Sequence, residues 1–251
     1  MSLVVVEKEG PVKTVILNRP EKRNALNDAL LGELHAAFSE EPGPEERVAV
    51  IRATGTVFCS GMDLAQRRET LGRPASIVDS LRAIESYPLP VVAVVQGHAI
   101  AGGNELALHC DFVVASTKAN FGMSLSQVGL APTFFLTKKL VEVCGPVGAR
   151  EILFLGDPLP STRMHELGLI ARVAEPDQLE AEARKIINRL SRNAPLSLRI
   201  MKKTLVRQMA FRDATPYEDI DAEVRAVSAS EDAREGITAR LEKREPRFEG
   251  R

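Results

Sequence analysis

The run Gln96-Gly97-His98-Ala99-Ile100-Ala101-Gly102-Gly103-Asn104-Glu105-Leu106-Ala107-Leu108 follows an unbroken apolar pentad, Val91 to Val95. The pentad reads as a buried strand, and residues 101–109 read as a short helix opened by a pair of glycines. A helix start leaves backbone N–H groups without partners, and glycine lets a ligand approach them closely. Such a corner can hold an anion, either a phosphate or the oxyanion of an enolate. Gly97 and Gly102 have the spacing of a P-loop, but Gly103 and Asn104 stand where its Lys and Ser/Thr must follow. That excludes a P-loop. A tight strand-to-helix turn with no ligand remains the plain alternative.

Working outward, Val57-Phe58-Cys59-Ser60-Gly61-Met62-Asp63-Leu64 has the same character, with Asp63 placed to cap a helix. Val4-Val5-Val6 and Val12 to Leu17, separated by Glu9-Gly10-Pro11, predict a β-hairpin. Leu30, Leu31, Leu34 and Phe38 mark a helix face that ends at Pro42-Gly43-Pro44. Arg47 to Arg52 and Phe112-Val113-Val114 read as further strands, with a helix from Ile77 to Glu85 between them. Strands alternating with helices, and apolar throughout, suit an α/β sheet covered on both faces. After about residue 133 helices dominate: 133–144, 146–154, 161–167, 177–192, 195–210, 216–230 and 232–243. One apolar break, Leu169 to Val173, interrupts them. The pattern predicts an α/β core over 1–192 and a helical region over 193–251.

Composition removes several functions. Lys plus Arg is 33 and Asp plus Glu is 34, a net charge of −1, which gives no reason to expect a nucleic-acid or membrane-surface partner. Aromatic residues are 4% and Trp is absent, against base stacking. The longest apolar runs fall far short of a membrane span. The N-terminus lacks the basic start and apolar core of a signal peptide, so a cytoplasmic location is expected. Three scattered cysteines, Cys59, Cys110 and Cys144, fit neither a disulfide framework nor a CxxC motif. Four scattered histidines without HExxH predict no metal site.

Taken in order, the segments Asn18 to Asn27, Phe58 to Leu64 and Val95 to Ala107 form a recognisable set. Cys110-Asp111-Phe112, Phe121-Gly122, Leu155-Gly156-Asp157, Glu166 to Leu169 and Glu242 to Phe248 extend it. The set resembles the enoyl-CoA hydratase/isomerase (crotonase) family along nearly the whole chain. The resemblance implies a crotonase-like spiral of ββα units and C-terminal helices that serve oligomerisation and close the coenzyme A site. A homotrimer or a dimer of trimers is the implied assembly. It also implies an acyl-CoA thioester substrate, with coenzyme A as part of that substrate and no separate cofactor.

Residue by residue, Met62 and Gly102 match the two main-chain donors of the family's oxyanion hole, and Glu105 matches one of its two acid/base carboxylates. Lys22, Ala25 and Leu26 match one wall of the coenzyme A site, Ser60, Asp63 and Leu64 the other, and Lys243 the closing tail. His98, Leu125, Thr133 and Phe134 fall where the acyl pocket is expected. The chain departs from the hydratase pattern after Phe121-Gly122. Ser124 and Leu125 occupy the place of a Pro-Glu pair whose Glu is the second carboxylate, and Pro132-Thr133-Phe134-Phe135 replaces a glycine-rich turn.

Leucine carries no proton, so three readings stay open. Glu105 alone hydrates an enoyl thioester, with Thr133 or Ser124 holding water; or it shuttles a proton in a Δ3-Δ2 isomerisation; or the chain binds acyl-CoA with weak or altered chemistry. His98 also reads as a structural residue, Cys59 as a small buried one, and His109 and Asp111 as a helix cap or pair. Asp213, Glu218, Asp219, Asp221 and Glu223 read as a solvated helix face.

Overall fold

The computed structural model describes residues 2–71, 77–210 and 214–251, so Asp213 lies outside the described residues. The predicted hairpin is present as β1 (Val4–Glu9) and β2 (Val12–Leu17), antiparallel and turning at Gly10. β3 (Val48–Ala53), β4 (Val91–Val95), β6 (Phe112–Ser116) and β9 (Arg172–Ala174) extend it in parallel. The sheet order is β1-β2-β3-β4-β6-β9. A smaller sheet pairs β5 (Ala99–Ile100), β7 (Asn120–Gly122) and β8 (Leu159–Pro160). These three short strands leave no hydrophobic period in the sequence.

The large sheet is covered on both faces, as its apolar strands require. One face packs under α1 (Asp28–Ser39), α3 (Ile77–Ser86) and α4 (Gly102–Leu108). The other, carrying Val48, Val50, Val92, Val94 and Val114, packs under Leu179, Ala183, Ile187 and Leu190 of α7 (Leu179–Arg192). Each β4–β5 and β6–β7 pair steps from the large sheet to the small one before a helix follows, which gives the spiral. α2 (Leu64–Glu69) starts on Asp63 as its cap, whose carboxylate accepts from the Ala65 and Gln66 amides. The two helices expected over 133–144 and 146–154 are present within α5 (Phe134–Arg150): Gly145, at φ 67 and ψ 174, is not helical and breaks the run before Pro146, and the second piece continues into a π-helical turn, Glu151–Leu155. α6 (Ser161–Glu166) precedes β9.

α8 (Pro195–Met209) is anchored by one buried cation. The Lys202 ammonium donates to Asp111 Oδ2 at 2.7 Å and to the Leu89 carbonyl at 3.1 Å, and Asp111 Oδ2 also accepts from the Val91 amide. Asp111 thus pairs, as expected. Removing the ammonium strands a carboxylate and a carbonyl, so Lys202→Met should lower unfolding free energy by about 3 kcal/mol, read in a urea titration. α10 (Glu231–Glu242) then folds back across α2 and the 3-10 turn Ser126–Val128 of the same chain, with α9 (Glu218–Ala229) packed on α10 and tied to α2 by the Arg67–Ser228 hydrogen bond.

Candidate active site

Four backbone segments converge beneath α4. Leu26 donates to the Gly61 carbonyl at 2.8 Å and accepts from the Asp63 amide at 2.8 Å, so the intervening Met62 turns its own N–H away from Leu26. Cys59 bridges to Ala99 in the same way, through Cys59 N–H to His98 and Ile100 N–H to Cys59. Ala101 donates to the Gly122 carbonyl at 2.7 Å. Asn24, fully buried in the left-handed region, locks this assembly: its amide donates to Thr54 and Val57 carbonyls while its oxygen accepts from Arg19 N–H.

Gly61 brings the Met62 segment against the Gly102 segment. It has φ 91, and a Cβ there would lie 2.9 Å from the Ile100 carbonyl oxygen and 3.3 Å from the Gly102 nitrogen. Ala101, directly before the helix, holds φ 48 and ψ −116, a backbone conformation costly for any residue with a Cβ. Among the described residues, neither the Met62 nor the Gly102 amide donates a hydrogen bond within the protein. Both residues line one cavity of about 380 Å³. Two unpartnered main-chain donors from separate loops therefore meet beside the same space.

Glu105 lies one turn into α4 and faces this cavity. It is 8% exposed, and among the described residues its carboxyl has no hydrogen-bond or ion-pair partner. Burial alone raises it to about 8, so it holds its proton at neutral pH. His109 caps the same helix, as expected. Its Nδ1 lies 2.8 Å from the Glu105 carbonyl, which only accepts, so Nδ1 carries the hydrogen; burial lowers the ring to about 4. The Cys59 thiol is fully buried, donates to the Asn24 carbonyl and is pushed up to about 12, so it is no nucleophile.

The cavity gathers Ser60, Met62, Leu64, Gly102, Glu105, Ser124, Leu125 and Thr133. Thr133 also caps α5 by accepting from Leu136 N–H at 3.3 Å. The structure does not bring Lys22, Ala25, Leu26, Asp63 or Lys243 to the cavity wall. Lys22 is exposed, Leu26 braces Met62, Asp63 pairs with Arg19 at 2.8 Å, and Lys243 ends α10 in a left-handed turn.

His98 and Phe134 do not reach the pocket expected of them. His98, just ahead of β5, is exposed, and its Nδ1 accepts from the Asn120 main-chain N–H, which holds the ring outside the cavity. Phe134 stacks on Tyr217, ring centroids 4.8 Å apart, and its neighbour Phe135 takes the cavity position.

In the acidic stretch Glu218, Asp219 and Glu223 are exposed, as expected of a solvated helix face, but Asp221 is not. Asp221 accepts from the Phe134 amide at 3.1 Å and lines the cavity. With Tyr217, Val224, Arg225 and Ser228 it forms the stripe by which α9 walls the site. Helical spacing, 217, 221, 224, 228, was the available signal, but the charges around it disguised an inward face. Arg67, Arg82 and Arg240 also line the cavity and carry no motif. Among the described residues no group of His, Cys, Asp and Glu is arranged to hold a metal ion, and no helix is long and apolar enough to cross a membrane.

Fold and cavity define an α/β protein in which two unpartnered main-chain amides share one cavity with a buried, unpaired carboxyl. The family model described as enoyl-CoA hydratase/isomerase matches residues 7–251. The short-chain-enoyl-CoA hydratase of Clostridium acetobutylicum is 32% identical over 249 residues, covering 96% of this chain and 95% of its own. The crotonyl-CoA hydratase of Syntrophomonas wolfei is 32% identical over 253 residues, 98% and 97% of the two chains. A solved methylmalonyl-CoA decarboxylase in complex with 2-nitronate-propionyl-CoA superposes with a TM-score of 0.88 at 29% identity over 99% of each chain. The chain belongs to the enoyl-CoA hydratase/isomerase family, and its fold is the crotonase-like one.

Proposed function

We propose that this chain is an enoyl-CoA hydratase whose acyl-CoA thioester lies in the cavity with its carbonyl oxygen on the Met62 and Gly102 amides. One observation carries the reading: the buried, unpaired Glu105 carboxyl, whose proton affinity burial raises, shares the cavity with those two free donors. The amides draw charge onto the thioester oxygen as water bonds to the β carbon. Glu105 gives its proton to the α carbon, and the proton released by the attacking water returns to the Glu105 carboxylate. The sum is addition of one water, achieved with one carboxyl. Ser124 and Thr133, whose side chains line the same cavity, hold that water in this reading.

Leu125 favours a second reading. It lines the cavity at the place of the family's second carboxylate, so nothing there moves a second proton. A Δ3-Δ2 isomerisation needs only Glu105, taking a proton from the α carbon and returning it at the γ carbon. Incubation with 2-enoyl, 3-enoyl and malonyl-type thioesters, followed by mass spectrometry and by the ultraviolet absorbance of the conjugated thioester, separates the two. Gain of water by the 2-enoyl substrate is the expected result. Rearrangement without a mass change supports isomerisation; loss of carbon dioxide from a malonyl-type thioester, or no conversion of any, overturns the hydratase reading.

We also propose that 1–192 works as the core and that 193–251 closes the site and builds a trimer or a dimer of trimers. Leu196, Ile200, Met201 and Leu205 on α8 support this; they are 59–78% exposed and ask for cover. No cofactor beyond the substrate's own coenzyme A takes part. A cytoplasmic location suits three cysteines that are all free.

A further inference from the structure

We infer that the acyl group this cavity accepts ends in a carboxylate remote from the thioester, held by Arg82 of α3 and Arg225 of α9. The inference rests on the acyl-CoA reading above and names the substrate class.

Four arginines, Arg67, Arg82, Arg225 and Arg240, the last three exposed at its rim, line a space that Asp79, Glu105 and Asp221 also line. Asp221 is engaged by the Phe134 amide, and burial keeps Glu105 uncharged at neutral pH. The wall is therefore net positive. A hydrocarbon acyl chain gains nothing from cations and pays to desolvate them. A carboxylate reverses that balance, because the planar guanidinium fork matches its two oxygens.

Position selects the acyl end rather than the coenzyme A end. The Gly102 amide fixes the thioester oxygen, and α4 runs from there through Glu105 to His109, a rise of roughly 10 Å. Phe135 stacks on the His109 ring at 5.0 Å, and the Arg82 guanidinium lies 4.6 Å over Phe135. Arg82 thus sits beyond the proton donor, at the far end from the amides, and the ring beneath it limits its rotamers. Glu85, one turn along α3, is taken by Lys139. Among the described residues neither Arg82 nor Arg225 has an ion-pair partner. Arg67, by contrast, is bonded to the Ser228 hydroxyl near α2 and is not assigned to this carboxylate.

The shared chemistry is anion recognition, and coenzyme A carries phosphates of its own. Calorimetric binding of adipyl-CoA, hexanoyl-CoA and free coenzyme A to the full chain separates the sources without needing turnover. The wild type should bind adipyl-CoA on the order of 10- to 100-fold more tightly than hexanoyl-CoA. Arg82→Gln and Arg225→Gln should each collapse that ratio, and Arg82→Lys should recover part of it. Equal binding of the two thioesters by the wild type overturns the inference and leaves the acyl-CoA reading standing. An equal loss in Arg82→Gln for both thioesters and free coenzyme A assigns the arginines to the phosphates, and also overturns it. No binding of either thioester sinks both readings.

Discussion

Glu105→Gln should abolish turnover of an enoyl thioester while leaving its binding nearly unchanged, a fall in kcat of about 10²- to 10⁴-fold. Glutamine keeps the volume and the hydrogen-bonding capacity but cannot release and recover a proton. The pH profile gives a sharper signature. With the carboxyl raised to about 8 by burial, kcat/KM should fall as pH climbs through that value and Glu105 loses its proton. Stability should move in the same direction. The unfolded chain releases this proton in the ordinary carboxyl range, whereas the folded chain retains it until about 8. Folding free energy is therefore complete below the unfolded value and declines as pH rises toward 8. Glu105→Gln should flatten that decline, making the inactive variant the more stable protein at pH 8. A rate that rises through pH 8 would instead require the ionised carboxylate as a base.

Gly61→Ala should cost about 10²- to 10³-fold in kcat, the usual consequence of losing one oxyanion donor. The added Cβ would fall 2.9 Å from the Ile100 carbonyl and 3.3 Å from the Gly102 nitrogen, and its φ of 91 is costly for alanine. The two loops must separate, and the Met62 amide moves off the thioester oxygen. Met62→Leu is the matched control: the donor is main chain, so this variant should stay within a few-fold of wild type. Circular dichroism and a thermal melt on both variants distinguish a displaced amide from a lost fold. Should Gly61→Ala stay fully folded and fully active, the amide pair has no part in the reaction.

Much of this architecture was legible in the residues. Val91 to Val95 could only be a covered strand, and Gly102-Gly103 had to open what followed. Asp63 announced its helix by being a cap, which the structure repeats to the hydrogen bond. The small sheet was not legible, because Ala99–Ile100 and Leu159–Pro160 are two residues each and carry no period. Glu105 stood out only through the motif around it; its raised proton affinity is a product of burial, which neighbours distant in sequence impose. The same is true of Asp221, whose inward turn depends on the Phe134 amide 87 residues away. His98 misled because its position beside the glycine turn says nothing about whether the ring faces the cavity or, held by the Asn120 N–H, the solvent.

Ala101 sits in a conformation that glycine would adopt without penalty, and it does so immediately before the amide proposed to hold the thioester oxygen. Part of the folding energy of the surrounding sheet is therefore stored there as a fixed tension, on the order of 1–3 kcal/mol. Heat tolerance and turnover consequently pull against each other at this one position. A lineage selected for robustness alone would slacken it, and one selected for rate would keep it wound.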